Sequence, residues 1–486
     1  MIKLSILKTN NKKTKVLEFI RFFIFLFFLI LVLGYLLIPK TFSKINISIA
    51  GFPFYITEIF ILLSIIFIFI NFSFENWKIV KIDFFYNFLL FFLVLTLSLA
   101  IGIYKYRDIT FVFRQSAIIY YSLFYFIVFY IFNNKNFLKI FLYAIIISSN
   151  IITLFFLFNI LGISHLIFRS FYNYFLGGFY FSVSIGFLVL FGIIDLIDRK
   201  WLKILAYIDL SVFFMISILE YVRASWVALF LSLIFLLIFS KSKKKFFINI
   251  STIFLISIIF LLLIFFSFPQ VFDSVLSELI SLKSIIFNKG LEFKESVKNQ
   301  YFVSKANADW RIIAWNSFIK ESLKRPLFGW GFGRKFIPEE TIKLGWDTGL
   351  SDNWVYAHNY ILTFLFTSGF FGLIVFLSLI VSIFIQSLKT LVKLNRISKI
   401  KIVENNFIKH IGVKKSNIEN IYDLDFITSL IYSFLSCCIY ILVLGLFGVV
   451  LEVPYQGSFL WILFGFIMIM INLEKKQAYF SKFTDK

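Results

Sequence analysis

The chain alternates between long apolar blocks and short polar stretches rich in lysine. Each block is about 20 residues long, which is the length a helix needs to cross a hydrocarbon layer of roughly 30 Å. The pattern therefore predicts an all-α polytopic membrane protein. The twelve predicted spans are residues 19–38, 55–72, 84–103, 110–132, 137–160, 178–197, 201–219, 224–239, 246–268, 359–386, 426–450 and 455–473.

Composition and charge agree with this pattern. Of the 486 residues, 60% are hydrophobic and only 15% are charged, too few charges to cover the surface of a soluble protein. The net charge of +22 could indicate nucleic-acid binding, but the basic residues lie between the apolar blocks, on alternate loops. Membrane topology requires that arrangement, so we expect membrane lipids, and no nucleic acid, as partners.

The distribution of lysine and arginine predicts the orientation. Inner loops of a membrane protein carry the excess of positive charge, and here every second loop does so, which requires an even number of spans. We expect both termini in the cytoplasm of a bacterium and the protein in its inner membrane. The first block, Phe19 to Ile38, is too long for a cleavable signal peptide and is expected to act as a signal anchor.

The predicted spans divide the chain into five regions. They are helices 1–9 (1–268), a large periplasmic loop with short amphipathic helices (269–358), helix 10 (359–386), a basic cytoplasmic linker (387–425), and helices 11–12 with a cytoplasmic tail (426–486). The two cysteines, Cys437 and Cys438, are neighbours on a helix and point in different directions. We therefore expect neither a disulfide nor a metal site from them.

Within the large loop, residues 308–324 predict an amphipathic helix. Asn307 is its expected N-cap, and Pro326 ends it because proline disfavours helical geometry at the preceding residue. One face has 4-3-4 spacing and carries Arg311, Trp315, Phe318 and Ser322.

A glycine-rich stretch, Pro326 to Gly333, follows the predicted helix. Its glycines at every second position permit tight turns and close backbone approach to a ligand, although a turn returning the chain to the membrane explains them equally well. Farther on, His358 stands beside Asn359 at the outer mouth of span ten. A lone histidine is more often a structural residue than a catalyst.

Arg223 lies between two long apolar blocks with almost no loop around it. A charge at membrane depth is costly, so it is usually paired or functional. The structural alternative is an ion pair with Glu220, with the arginine side chain reaching the outer surface. Arg114 in span four and Asp209 in span seven carry the same ambiguity.

Taken in order, five short motifs resemble the O-antigen ligase and polymerase superfamily. They cover roughly residues 210–380, and elsewhere only the hydropathy agrees. Val222 stands where a serine or threonine is more typical. The motifs are Arg223-Ala-Ser, Arg311-Ile-Ile-Ala-Trp315, Pro326-Leu-Phe-Gly-Trp-Gly-Phe-Gly333, Ala357-His358-Asn359-Tyr360 and Ser368-Gly-Phe-Phe-Gly372.

The resemblance implies an enzyme that transfers a glycan from undecaprenyl pyrophosphate to an acceptor at the periplasmic face, without metal or cofactor. Arginine binds phosphate bidentately and stays charged, so Arg223 and Arg311 are expected to hold the pyrophosphate. A histidine can accept a proton at neutral pH, so His358 is expected to be either the general base or a residue that positions the acceptor. The secondary candidates are Arg114, Trp315, Gly331 and Asn359.

The sequence leaves the acceptor open. We favour ligation to the lipid A core, whereas polymerisation of lipid-linked repeat units and oligosaccharide transfer to a protein are the alternatives within the family. A lipid-linked oligosaccharide flippase or transporter is the alternative from another class, with Asp209 and Arg114 as pathway residues. A structural membrane scaffold would leave Arg223 and the ordered motifs unexplained.

Overall fold

A computed structural model describes residues 12–49, 52–74, 84–160, 179–219, 222–268, 295–343, 356–411 and 419–484. In the first half the helices are α1 (Lys12–Leu37), α2 (Pro39–Phe42), α3 (Ile56–Phe74), α4 (Phe85–Tyr106), α5 (Ile109–Gln115), α6 (Ala117–Tyr121), α7 (Leu123–Ile131) and α8 (Lys135–Ile160). In the second half they are α9 (Phe179–Ile193), α10 (Lys200–Leu219), α11 (Arg223–Phe239), α12 (Lys243–Ser267), α13 (Glu295–Leu323), α14 (Glu339–Lys343), α15 (Tyr360–Ile411), α16 (Glu419–Leu444) and α17 (Pro454–Thr484).

The described part of the chain is a polytopic helical membrane protein, as predicted. Nine of its helices are long and apolar enough to cross a membrane, and a bent pair, Ile109–Gln115 with Ala117–Ile131, is a candidate tenth. Two further apolar helices, Tyr180–Leu196 and Arg223–Phe239, are shorter. Each of the twelve predicted segments contains helix, whereas the number of crossings remains a prediction.

One small sheet departs from the all-α prediction. Strands β1 (Asn46–Ile49) and β2 (Phe52–Tyr55) form an antiparallel hairpin just before α3, with Asn46 paired to Tyr55. The first strand, Asn-Ile-Ser-Ile, alternates polar and apolar residues, which suits a strand that is partly exposed. The hairpin matters for the site because Tyr55 lies at its end.

Helices α16 and α17 form the centre of the bundle. Within their membrane segments 78% and 89% of the residues are buried, against 11% for α12 at the periphery. Close helix contacts in a membrane need small residues, and Gly192 of α9 illustrates this. A Cβ there would stand 1.9 Å from the Ser433 Oγ of α16. Cys437 and Cys438 are free and buried in this centre.

Helix α13 corrects the predicted loop helix. It begins at Glu295, so Asn307 lies inside it and is not its N-cap. Neither proline nor glycine interrupts residues 295–323, so nothing in the sequence makes the helix begin at Asn307. Its C-terminal end at Leu323, shortly before Pro326, agrees with the prediction.

Helix α15 is broken where the sequence predicts one continuous span. Gly369 has φ 66° and ψ −166°, which divides α15 into residues 360–368 and 370–411. The break leaves backbone groups without helical partners, and the Gly-rich segment, residues 326–333, supplies new ones. The four hydrogen bonds run from Phe370 N to Pro326 O (2.7 Å), Phe371 N to Leu327 O (3.2 Å), Trp330 N to Phe366 O (2.8 Å) and Gly331 N to Thr367 O (2.9 Å).

The Gly-rich segment also contacts α4 on its other side. Phe332 N donates to Ser98 O at 3.2 Å, and a Cβ on Gly102 would lie 2.0 Å from Phe332 O. The segment is therefore wedged between α4 and the break in α15. We call this end of the bundle, where α13 and the Gly-rich segment lie, the loop end.

Candidate active site

Arg223 and Arg311 approach each other at the loop end. Arg223 is the first residue of α11, and Arg311 lies in α13, 88 positions later in the chain. Burial lowers the pKa of the Arg311 guanidinium, and the positive charge of Arg223 lowers it further. Two partly buried cations that interact in this way repel each other, and an anion between them would relieve that repulsion.

The start of α11 adds to the positive potential. Val222 caps the helix without a side-chain hydrogen bond, and the first amides of a helix attract anions. Two contacts fix this end of the helix: the hydroxyls of Ser225 and Tyr440 are 2.7 Å apart, and the Trp226 indole donates to Ser217 O at 2.8 Å. The alternative partner proposed for Arg223, Glu220, lies outside the described residues.

His358 stands beside Arg311. Burial, followed by the positive charge of Arg311, lowers the pKa of His358 from 6.5 to about 4. Its imidazole meets the Trp310 ring edge-on, with ring centroids 5.3 Å apart. Arg311 thus interacts electrostatically with both of the other principal candidates, and the ring contact with Trp310 places His358 against the same helix.

The backbone around His358 is held in an unusual conformation. His358 has φ 50°, in the left-handed region, which costs a non-glycine residue about 1–2 kcal/mol. The Trp315 indole donates to Ala357 O at 2.8 Å, and Asn359 Oδ1 accepts from Ile361 N at 2.9 Å, so both neighbours are fixed. Trp315 and Asn359 therefore position His358 through its backbone. Strained residues held in this way are concentrated at functional sites.

The other two secondary candidates lie on other elements, although Arg114 also interacts electrostatically with Tyr356, two residues before His358. Arg114 binds the Tyr55 hydroxyl at the end of the β-hairpin and stands 5.6 Å from that ring centroid. Gly331 lies in the Gly-rich segment, with φ 86°, against α4. Gly331 thus helps to pack the Gly-rich segment against α4. Arg114 and Tyr55 form a polar pair beside the hairpin.

A small polar pocket beside Ala357 contains residues that the sequence analysis missed. Glu452 and Arg334 both line it, and each has one buried side-chain atom without a hydrogen-bond partner in the described structure, Oε2 and Nη1 respectively. Burial raises the pKa of the Glu452 carboxyl, and hydrogen bonds, the first from Thr363, partly offset this. Gln115, another residue of the lining, accepts a hydrogen bond from Gly333 N at 2.7 Å. No spacing pattern connects these residues, since four separate segments supply them.

An apolar groove of about 500 Å³ runs along α11, below the arginine pair. It opens between α10, α11 and α12, and Trp226 lines it one turn after Arg223. The other α11 residues along the groove are Leu229, Phe230, Leu233, Ile234 and Leu237.

These features together define a class of protein: a polytopic helical membrane protein in which two arginines and a histidine interact at one end of the bundle. Residues 210–377 match the family described as O-antigen ligase, so this part of the chain is similar to that family. The match contains Arg223, Arg311 and His358 and covers nearly the same residues as the motifs. No curated protein matches the chain.

Proposed function

We propose that the protein transfers a glycan from undecaprenyl pyrophosphate to an acceptor at the periplasmic face, and that the acceptor is the lipid A core. The family supports a glycan-transferring enzyme of the ligase or polymerase type. The single observation that carries the proposal is the approach of Arg223, Arg311 and His358, which supplies an anion site and a proton acceptor together.

The two arginines suit the leaving group. In the reaction the acceptor oxygen bonds to C1 of the donor sugar, while the bond from C1 to the pyrophosphate oxygen breaks. The pyrophosphate leaves with the bonding electron pair and gains negative charge. Fixed cations aimed at that charge lower the barrier, and their mutual repulsion is relieved when the charge develops. A single displacement of this kind inverts the configuration at C1.

His358 suits the acceptor side. The attacking hydroxyl loses its proton, and a neutral imidazole can accept it. With a pKa of about 4 the imidazole is neutral at physiological pH, but it is a weak base until an anion offsets the charge of Arg311. Donor binding therefore raises the basicity of His358, so that the base becomes effective only when the pyrophosphate is present.

The apolar groove supports a polyprenyl donor. It begins at Trp226, one turn after Arg223, and runs along α11 as far as Leu237. A carrier lipid whose chain lies in this groove would present its pyrophosphate at Arg223.

Complementation tests the proposal. The wild-type chain is expressed in strains lacking either the O-antigen ligase or the polymerase, alongside Arg223→Ala, Arg311→Ala and His358→Ala at matched membrane levels. Lys320→Ala is the control, since Lys320 is 75% exposed on the same helix as Arg311. We expect long glycan on the lipid A core in the ligase-deficient strain, unchanged in the control. The site variants are expected to reduce it about 100-fold or more.

The other outcomes separate the alternatives. Rescue of only the polymerase-deficient strain would replace ligation by polymerisation as the function. Site variants as active as the wild type would refute the roles of the three residues. A flippase would instead move the lipid-linked donor across vesicles without any acceptor, and the same purified protein can be assayed for that movement.

A further inference from the structure

A cluster of basic side chains lies at the loop end, on the side of α4 and α15 and apart from the arginine pair. We call it the basic rim, and its members are Lys105, Lys324, Arg325, Arg334 and Lys335. Trp330 contacts two of these cations. Its ring centroid lies 4.3 Å from the guanidinium carbon of Arg325 and 3.5 Å from that of Arg334. The Tyr106 hydroxyl donates to Trp330 O at 3.1 Å and connects the cluster to the end of α4.

The rim has more cations than its carboxylates can neutralise. Glu321 is shared between Arg334 at 2.6 Å and Lys324 at 2.7 Å, and Asp108 pairs with Lys335 at 3.1 Å. Among the described residues, none of the carboxylates lies within salt-bridge distance of Lys105 or Arg325. Lys105 nevertheless experiences the positive charges of both Arg325 and Arg334. Like charges gathered without counter-charges destabilise the apo protein and favour an anionic ligand.

An exposed apolar surface adjoins the rim. Leu327 and Phe328 follow Arg325 in the chain and are 56% and 46% exposed, and the Phe328 ring stacks on Phe371 at 5.2 Å. From there a stripe of exposed residues continues along the membrane segment of α15. The stripe consists of Phe370, Phe371, Ile374, Leu377, Val381 and Ile385.

Cations above an apolar stripe match a lipid with an anionic headgroup. Basic side chains at a membrane surface bind phosphate groups, and exposed apolar residues below them contact acyl chains. The arginine pair is already the site for the donor pyrophosphate under the proposed function, whereas the rim is built from the end of α4 and from residues 324–335, which follow α13. A second anion site at the same end suits the second substrate.

We propose that the basic rim binds the phosphate groups of a phosphorylated glycolipid, the acceptor, with Lys105 and Arg325 as specificity-determining residues. This inference rests on the proposed function for the role of the glycolipid as acceptor. The binding itself is independent of that role. In this arrangement the acyl chains lie along α15, and the sugar portion extends over the Gly-rich segment toward His358.

Binding is measured without turnover. The full-length protein is reconstituted in nanodiscs and titrated with three probes: lipid A–core, the same glycolipid after enzymatic removal of its phosphates, and phosphatidylglycerol. We expect tight binding of the first probe only, weakened by added salt because the rim is exposed.

The rim variants decide whether the site is the one proposed. Each cation at a membrane surface contributes a few-fold to the binding of an anionic lipid, so Lys105→Gln with Arg325→Gln is expected to weaken lipid A–core binding about thirtyfold. Lys320→Ala changes an exposed lysine of α13 and is expected to leave lipid A–core binding unchanged. Equal binding by the double variant and the wild type would overturn the proposal. Equal affinity for the dephosphorylated probe, or for phosphatidylglycerol, would overturn it too.

The two proposals fail differently. If the wild type binds lipid A–core through the rim but transfers no glycan, the proposed function fails and the rim remains a glycolipid site. If the wild type transfers glycan and the double variant has an unchanged KM for the acceptor, the rim proposal fails and the function stands. We expect a raised KM with nearly unchanged kcat.

Discussion

At the scale of single residues, the coupling between Arg311 and His358 has the most direct consequence. The imidazole stays neutral at ordinary pH because burial and the neighbouring guanidinium both disfavour the protonated form. Protonation would add a second cation beside Arg311. The imidazole of His358 is therefore neutral but weakly basic in the free protein. A bound anion offsets the charge of Arg311 and makes the imidazole more basic.

This coupling predicts a specific pH dependence. In vesicles containing donor and acceptor, kcat/KM should be flat near neutral pH and fall only as the pH approaches the free-enzyme pKa of His358, about 4. The acid limb of kcat, which reports the substrate complex, should lie at higher pH, because the pyrophosphate offsets the charge of Arg311. Arg311→Gln removes that charge and should move the kcat/KM limb toward higher pH.

Lys320→Ala should leave both limbs in place. If the limb of kcat/KM does not move in Arg311→Gln, while some activity remains to be measured, the two residues are not electrostatically coupled.

At the scale of secondary-structure elements, the junction between the Gly-rich segment and the break in α15 positions the site. The segment supplies hydrogen bonds that the broken helix lacks, and it places Arg334 beside the polar pocket. Gly329, Gly331 and Gly333 all have positive φ, a conformation that L side chains avoid. The positive φ angles thus explain why glycine occupies every second position of this segment.

The junction predicts a difference between two glycines. A Cβ on Gly331 would stand 2.8 Å from Gly102 N, at φ 86°, whereas a Cβ on Gly448 would meet nothing closer than 3.8 Å. Gly331→Ala is expected to lower the free energy of unfolding by about 2 kcal/mol, from the left-handed backbone and the backbone contact. Gly448→Ala should cost no more than about 1 kcal/mol.

Thermal unfolding of the two purified variants in one detergent measures this difference. Equal melting temperatures would mean that the close approach of the Gly-rich segment to α4 is not essential to the fold. If Gly331→Ala also loses complementation while remaining folded at growth temperature, the junction positions the site as well as stabilising it.

At the scale of the whole molecule, the orientation in the membrane follows from charge and remains a prediction. The loop end should face the periplasm, and the opposite end, where Lys241 pairs with Asp425 at 2.5 Å and Lys203 with Asp195 at 3.7 Å, should face the cytoplasm.

Cysteine labelling tests this orientation. Both natural cysteines are buried and should react little, so Lys320→Cys at the loop end and Lys244→Cys at the other end can be introduced into the natural chain. A membrane-impermeant maleimide added to spheroplasts should label Lys320→Cys, and it should label Lys244→Cys only after permeabilisation. The opposite result would place the site in the cytoplasm and exclude a periplasmic transferase.

By itself, the sequence determined the class of fold and the principal candidate residues. Block length and apolar composition predict membrane helices because a lipid bilayer imposes one length on all of them. Arg223 and His358 could be singled out as a charge between apolar blocks and as one of only three histidines, whereas Arg311 was singled out by the resemblance of its short motif. Each of these signals is local, so each can be read from neighbouring residues.

Only the tertiary structure decided what depends on distant segments. Asn307 looked like a helix start, but helix ends depend on what the chain does on both sides. The break at Gly369 lies in the middle of an apolar block, and its backbone groups are satisfied by a segment about 40 residues earlier in the chain. Glu452, Arg334 and the basic rim are assembled from several segments in the same way, so no spacing along the sequence could reveal them.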